Sequence, residues 1–260
     1  FATTFKPAGK LYDVLVHPAN EEEKMNPTTA KGHLEADDLL IALDAKTGKT
    51  LWRASEPGGF VWGVGKRMGF QVAPVYHDGT IFSMGTTGRL FAYRASDGKK
   101  LWQTEPEERM VEERKKHLAR SYVLQASASY GWVQSLVYAG GTLVVPRQTT
   151  LFGLDPATGK RKWELQKVIS RWSTPTVWRH EKKDYLLCAT GGKPGEAQLN
   201  LVDPVAGKVL WTVDGLHSTQ FNLAPSSTRV LVNVGSKIMK ENPNGSSPKN
   251  AKGEAPFGLL

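Results

Sequence analysis

Six side chains of this sequence have the chemistry of a ligand site and recur near the start of successive β-rich segments. They are three amides, one guanidinium and two indoles, namely Gln71, Trp132, Gln134, Arg171, Trp172 and Asn222. A guanidinium binds carboxylates and phosphates through paired hydrogen bonds, and an indole offers a flat apolar face to aromatic rings. The set therefore predicts a site for an acidic or aromatic group. The alternative is ordinary packing around bound water, which the same residue types also support.

Three other patterns resemble reactive sites but fail on spacing or number. Residues 63–67 read Gly-Val-Gly-Lys-Arg, whereas a phosphate-binding loop needs a further upstream Gly and a Ser or Thr in place of Arg67. The segment 17–33 carries two histidines and three glutamates at intervals that match no established metal site. The single cysteine, Cys188, lies in an apolar run predicted to be a buried strand, and it excludes a disulfide framework. We therefore predict neither a metal ion nor a catalytic residue.

The excess of positive charge does not indicate nucleic-acid binding. The chain has 34 Lys and Arg residues against 25 Asp and Glu residues, which gives a formal net charge of +9. Many of these cations occupy repeated turns, where they are expected to be solvated rather than gathered into one patch. No basic helix or aromatic RNA-binding motif accompanies them. No apolar run is long enough to predict a membrane-spanning helix.

The elements that must position these side chains are defined by a repeat. The frame Gly-Lys-x-x-Trp occurs four times, ending at Trp52, Trp102, Trp163 and Trp211. Each copy follows an apolar run, and three copies place an Asp between that run and the Gly. Self-similarity at intervals of about 50 to 60 residues indicates a repeat architecture.

Each repeat contains four short β-rich runs, A to D, joined by tight turns. In the second repeat these runs are 71–76, 80–84, 89–94 and 100–103. Four-stranded units repeated around an axis predict an all-β fold, a β-propeller of antiparallel blades. We expect one domain, an arc of about five blades at 1–55, 70–105, 130–168, 172–214 and 221–260.

Both ends of the predicted arc are incomplete. In the first blade we assign 11–16 to strand B, 39–44 to strand C and 50–54 to strand D, with no strand A. The fifth blade stops inside its strand C, because residues 257–260 resemble the beginning of a strand. We therefore expect a partial ring whose remaining blades belong to a longer parent chain.

The repeated frame also has a mechanical interpretation. Between strands C and D a Gly supplies the positive φ that a tight turn requires. The Trp that follows lies on the outermost strand, where its ring can pack between neighbouring blades. The Asp-x-x-x-Gly-Lys-x-x-Trp pattern resembles the tryptophan docking motif of the pyrroloquinoline quinone (PQQ)-like propeller superfamily over nearly the whole chain. On this resemblance the structural docking residues are Gly48, Gly98, Gly159, Gly207, Trp52, Trp102, Trp163 and Trp211.

The resemblance implies a periplasmic or otherwise exported protein, and it leaves two functions open. The superfamily includes quinoprotein alcohol dehydrogenases, the assembly lipoprotein BamB and other exported repeat proteins. The first function is a non-catalytic scaffold that binds a protein or a cell-surface polymer. The second is a fragment of a PQQ-dependent alcohol or sugar dehydrogenase, which would need PQQ and calcium. The single cysteine excludes the paired-cysteine ring of many such enzymes within this chain, so the scaffold is our prediction, without a cofactor.

The long connections predict where a scaffold would bind its partner. In antiparallel blades the D–A and B–C connections emerge on one face, here called the loop face. The longest connections, 17–38, 55–69, 105–129 and 236–256, all belong to it. Residues 105–120 are predicted to be helical, because acids precede bases along them. Functional variation concentrates in loops held by a rigid scaffold, which favours this face as the binding surface. The alternative is a set of tolerated insertions on an inert surface.

Overall fold

The fold is an open arc of β-blades, which confirms the predicted fold class. The computed structural model describes residues 1–16, 28–60, 72–108, 111–112, 123–124, 134–192, 196–216, 223–226 and 229–231. Four sheets of four strands and one two-stranded sheet follow one another along the chain. Within each of the second to fourth blades, consecutive strands pair antiparallel in the order A, B, C, D.

Three blades have the strands that the repeat predicted, with small shifts at their ends. The second blade contains β4 (Val75–His77), β5 (Thr80–Met84), β6 (Leu90–Arg94) and β7 (Lys100–Gln103). The third contains β9 (Val137–Ala139), β10 (Thr142–Arg147), β11 (Thr150–Leu154) and β12 (Arg161–Leu165). The fourth contains β13 (Thr176–His180), β14 (Lys183–Ala189), β15 (Ala197–Asp203) and β16 (Lys208–Leu216). The fifth blade is described only as β17 (Ala224–Pro225) and β18 (Val230–Leu231).

The first blade differs from the prediction. Its strands are β1 (Ala2–Val16), β2 (Thr28–Leu43) and β3 (Thr50–Phe60), each much longer than its counterparts. The assignment of strand B to 11–16 was wrong, because the part of β1 that faces the apolar end of β2 begins at Ala2, which pairs with Ile41. Residues 11–16 continue the same strand beyond the blade and pair with 28–33. A short parallel strand, β8 (Val123–Leu124), completes this sheet.

The hydrophobic core lies between the blades and not inside any one of them. One cluster joins the second and third blades through residues such as Phe82, Met84, Leu143 and Leu154. Similar clusters fill the other gaps, and the one between the third and fourth blades contains the fully buried Cys188. Strand C is therefore apolar on both faces, as expected for a strand covered on two sides.

The C–D turns share one backbone geometry. Their glycines, Gly48, Gly98, Gly159 and Gly207, have φ values of 69°, 71°, 70° and 62°. In three cases the indole of the preceding blade lies on the glycine and donates its N–H to the carbonyl of the residue three positions before that glycine. These bonds run from Trp52 to Ala95 (3.0 Å), from Trp102 to Pro156 (2.9 Å) and from Trp163 to Pro204 (3.0 Å).

Adding a methyl group at one of these glycines should separate two blades. A Cβ at Gly207 would lie 2.2 Å from the Trp163 ring, on a backbone that L-residues rarely adopt. We expect Gly207→Ala to lower the free energy of unfolding by about 3 kcal/mol or more, measured by urea denaturation. Gly79→Ala is the control, because Gly79 has φ +73° and no atom of the described residues lies within 4 Å of the added Cβ. Equal losses for both variants would contradict the steric explanation.

The predicted helix at 105–120 is described only at its beginning. Glu108, Val111 and Glu112 are helical, and the Val111 N–H donates to the Glu107 carbonyl at 3.0 Å. The other residues of the predicted helix beyond Glu108 lie outside the described part. Among the described residues, no helix is long and apolar enough to cross a membrane.

Candidate functional site

The loop face carries a sheet that extends beyond the first blade. Strands β1 and β2 pair over their whole length, and β3 follows β2 as far as Phe60. Strand β8, which belongs to the connection 105–129, pairs parallel to the far end of β1, Leu15 with Val123 and Val16 with Leu124. Three of the long connections predicted from the sequence, 17–38, 55–69 and 105–129, therefore contribute residues to one sheet, here called the arm. Residues 17–27, 61–71 and 232–260 lie outside the described residues.

The B–C turn of the second blade is buried, and it is hydrogen-bonded to both neighbouring blades. Thr86 and Thr87 in this turn are each 4% exposed. The Thr86 N–H donates to Asp38 Oδ1 of the first blade at 2.9 Å. The Gly88 carbonyl accepts from Arg147 Nη2 of the third blade at 2.7 Å. Turn 85–88 therefore links three blades through hydrogen bonds.

Asp38 is a buried carboxylate enclosed by backbone. A Cβ added at Gly85 would lie 2.3 Å from its Oδ2, and one added at Gly59 would lie 3.1 Å from its Cγ. Burial raises the pKa of Asp38, whereas the hydrogen bonds from Thr86 and the positive charge of Arg89 oppose that increase. Because Gly59 and Gly85 have no side chains, they leave the space that this carboxylate occupies.

The raised pKa of Asp38 predicts a pH dependence with a definite sign. Its protonated form is favoured by folding, so its contribution to stability is present below the unfolded pKa and is lost as the pH rises through the folded pKa. The Asn of an Asp38→Asn variant stays neutral and keeps an acceptor for Thr86. We expect this variant to gain stability relative to the wild type as the pH rises above about 4, measured by urea denaturation at each pH. A relative loss over the same range would contradict the assignment.

A second buried carboxylate, Glu56, lies beside Asp38 across strands β2 and β3. Tyr93 Oη donates to Glu56 Oε1 at 2.8 Å, and Lys100 Nζ donates to Glu56 Oε2 at 2.7 Å. Burial raises the pKa of Tyr93, and the hydrogen bond to Glu56 adds to the increase. Asp38 Oδ1 and both oxygens of Glu56 thus accept hydrogen bonds from protein donors that hold the first two blades together.

The six side chains predicted to form a ligand site are only partly described. Gln71, Trp132 and Asn222 lie outside the described residues. Gln134 is 2% exposed, and its Nε2 lies 2.9 Å from the carbonyls of Gln148 and Ser170 and 3.1 Å from that of Ser173. The amide nitrogen of Gln134 therefore donates its hydrogen bonds to backbone carbonyls.

The other two predicted residues lie just before β13. Arg171 is exposed, whereas Trp172 is half-buried. The backbone N–H of Trp172 donates to Ser170 Oγ at 3.2 Å. Arg171 thus presents a cation to solvent beside a partly accessible indole. An acidic or aromatic group remains the expected ligand of this pair.

Sequence reasoning missed a groove between the second and third blades. Arg147 is paired with Glu107, and their side chains are 20% and 23% exposed. The guanidinium groups of Arg147 and Arg161 each lie 5.6 Å from the ring centroid of Phe152. Thr104 and Glu105 complete the polar lining. No motif could have signalled this arrangement, because Arg147 and Glu107 are 40 residues apart in sequence.

A family model described as outer membrane protein assembly factor BamB matches residues 36–213, about two thirds of the 260 residues. The chain belongs to this BamB family. No curated protein matches the chain.

Solved structures similar to this BamB-family chain include natural and designed proteins. BamB from Moraxella catarrhalis is 15% identical with a TM-score of 0.44, and the match covers 67% of this chain and 42% of that one. Quinohemoprotein alcohol dehydrogenase from Comamonas testosteroni is 17% identical with a TM-score of 0.42, covering 71% and 34%. The computationally designed Ika8 protein is 12% identical with a TM-score of 0.46, covering 80% and 57%. The chain thus spans less than half the length of the two natural proteins.

Proposed function

We propose that this BamB-family chain is a non-catalytic, extracytoplasmic scaffold that binds a protein partner through its loop face. The supporting observation is the arm, in which β8 from the connection 105–129 pairs with the end of β1 that leads into the connection 17–38. Backbone hydrogen bonds fix both segments to the rigid blades, so their ordering entropy is already lost before a partner arrives. A binding surface with this property needs fewer contacts to reach a given affinity.

The family description favours a protein partner over a cell-surface polymer. Members are described as outer membrane protein assembly factors. Applied to this chain, that description suggests a partner that is itself an outer membrane protein, met in the periplasm. Strands of such barrels alternate apolar and polar residues and are extended before they insert. Among the described strands, none pairs with the outer edge of β3 or of β8, and edges of this kind suit such segments.

The dehydrogenase alternative gains no support from the described carboxylates. A calcium ion beside a quinone needs several oxygen ligands that are free to coordinate it. Within the described ranges, no group of three or more His, Cys, Asp and Glu side chains is placed to hold a metal ion. Asp38 and Glu56 are instead engaged by Thr86, Tyr93 and Lys100. The described residues therefore do not fit a calcium–quinone site, and we derive no catalytic step through one.

The proposal is tested by shortening the arm. Residues 11–33 would be replaced by a two-residue Asn-Gly turn, which keeps the β1–β2 pairing inside the blade. The probes are a fluorescent outer membrane barrel protein diluted from urea and, separately, purified peptidoglycan. We expect saturable binding of the barrel protein to the wild type, and a loss of about tenfold or more in affinity for the shortened chain.

The control carries Asp78→Ala and Glu181→Ala, two exposed positions in A–B turns on the opposite face. This variant should bind like the wild type, and circular dichroism should show that all three proteins are folded. Unchanged binding after arm shortening, or equal losses in both variants, would contradict the proposal. Binding of peptidoglycan alone would favour the polymer instead.

A further inference from the structure

Two gaps between blades contain the same pair of side chains, a cation on a phenylalanine ring. In the first seam, between the first and second blades, Lys100 Nζ lies 5.8 Å from the ring centroid of Phe91. In the second seam, between the second and third blades, the Arg161 guanidinium lies 5.6 Å from the ring centroid of Phe152. Each cation stands two residues after the glycine of its C–D turn. The residues that pair with the cations also correspond, namely Tyr93 with Lys100 and Leu154 with Arg161.

In the first seam the cation binds a carboxylate of the preceding blade. Lys100 Nζ donates to Glu56 Oε2 at 2.7 Å, and Tyr93 Oη donates to Glu56 Oε1 at 2.8 Å. The side chains of Glu56 and Tyr93 are both buried. The cavity that remains beside them has a volume of about 10 Å³, which holds at most one water molecule. A phenol ring and a carboxylate therefore fill this seam.

The second seam lacks both of the groups that fill the first. Leu154 takes the place of Tyr93, so it supplies no phenol ring. Counted from the Trp of strand D, the place of Glu56 falls on Pro106, which has no carboxylate. The groove in this seam has a volume of about 260 Å³, compared with about 10 Å³ in the first seam. The second seam thus keeps the cation on its ring but leaves the space beside them open.

The lining of this groove suits an aromatic ring. Leu90, Val145 and Leu154 form apolar walls that are 2%, 0% and 5% exposed, and Phe152 lies beside them. A cavity of about 150 Å³ with apolar walls is large enough for benzene. The groove can therefore hold one aromatic ring together with a short polar group.

The two arginines of the groove have different tasks. Arg147 is paired with Glu107 and donates to the Gly88 carbonyl, so it is already committed to the protein. Arg161 donates one N–H to Glu164 at 3.0 Å, and its side chain is 62% exposed. A guanidinium can present two parallel N–H groups to a carboxylate, and an exposed ion pair such as this one is weak. Arg161 is thus the group that can receive a carboxylate from outside.

We propose that the groove of the second seam binds a small aromatic carboxylate. The carboxylate accepts hydrogen bonds from Arg161, and the ring packs against the apolar walls. The ligand supplies from outside the ring and the carboxylate that Tyr93 and Glu56 supply in the first seam. The proposal does not depend on the function of the loop face.

The test titrates the 260-residue protein with phenylacetate and follows the amide signals in nitrogen-15 NMR spectra. We expect the signals of Thr104, Phe152 and Arg161 to shift and to reach saturation. Acetate has the carboxylate without the ring, and benzyl alcohol has the ring without the carboxylate. Each should bind about tenfold more weakly or not at all, because each lacks one of the two sets of contacts.

Arg161→Gln and Lys162→Gln are the matched protein variants. Both remove one positive charge from an exposed side chain of β12, and Arg161 is the one that lies on Phe152. Arg161→Gln should weaken phenylacetate binding about tenfold, whereas Lys162→Gln should leave it within about twofold. Leu154→Tyr introduces the ring that fills the first seam and should block binding. Circular dichroism checks that each variant is folded.

Three results would overturn the proposal. The first is that phenylacetate leaves the signals of Thr104, Phe152 and Arg161 unchanged. The second is that acetate or benzyl alcohol binds as well as phenylacetate, since the groove would then not require both groups. The third is an equal loss of binding in Arg161→Gln and Lys162→Gln, which would indicate a general effect of charge.

Discussion

Replacing Trp163 by Ala is expected to lower the free energy of unfolding by about 3–5 kcal/mol. The indole fills the space between the third and fourth blades, where Gly153 and Gly207 both approach it. Its N–H also bonds to the Pro204 carbonyl at 3.0 Å. The variant therefore loses apolar burial and leaves a cavity that two glycines cannot fill. Urea denaturation followed by circular dichroism measures the change.

The matched control is the same substitution at the fourth copy of the frame. Trp211 occupies the equivalent place on β16 but is 38% exposed. Trp211→Ala should therefore cost about 1 kcal/mol or less. If both substitutions destabilise the protein equally, burial between blades is not the source of the effect, and propensity of Trp for an edge strand becomes the better explanation.

Arg147→Met is expected to lower the free energy of unfolding by about 3–5 kcal/mol, because it leaves the half-buried Glu107 without its ion-pair partner. It also removes the donor to the Gly88 carbonyl. Burial lowers the pKa of Arg147, while Glu107 opposes the change. The double variant with Glu107→Gln should recover part of the loss, and a double-mutant cycle in urea measures the coupling.

Arg161→Met provides the control for this prediction. Arg161 lies at the same distance from Phe152 as Arg147 does, and it is also paired with a glutamate, Glu164. Its side chain is 62% exposed, so its ion pair should contribute about 0–1 kcal/mol. A large loss for Arg161→Met, or none for Arg147→Met, would contradict the role assigned to the buried pair.

The repeat predicted most of the blade strands because short turns leave little freedom in register. Strands β5 (Thr80–Met84) and β7 (Lys100–Gln103) lie where the sequence placed them. Strand A of the second blade was placed too early, since β4 begins at Val75, after Pro74. The strand prediction for the first blade was wrong because its long strands extend beyond the blade. No turn residues in the sequence mark the point at which the blade ends.

The sequence predicted the loop face but not the contacts that organise it. The pairing of β1 with β8 joins segments about 100 residues apart through only two residue pairs. The bond from Thr86 to Asp38 spans 48 residues, and neither residue belongs to a recognisable motif. Gln134 shows the opposite difficulty, because a polar residue predicted to belong to a ligand site instead donates to three backbone carbonyls. These hydrogen-bond partners are set by how the blades approach one another. No short stretch of a single sequence carries that information.

The buried turn 85–88 has a consequence for how the molecule comes apart. In repeat proteins each unit contacts only its neighbours, so stability is normally a sum of local terms and opening can begin at any unit. Here Asp38 of the first blade and Arg147 of the third both bond to one turn of the second. Loosening either outer blade removes support from the middle one. The first three blades are thus expected to open as a single cooperative unit in native-state hydrogen exchange.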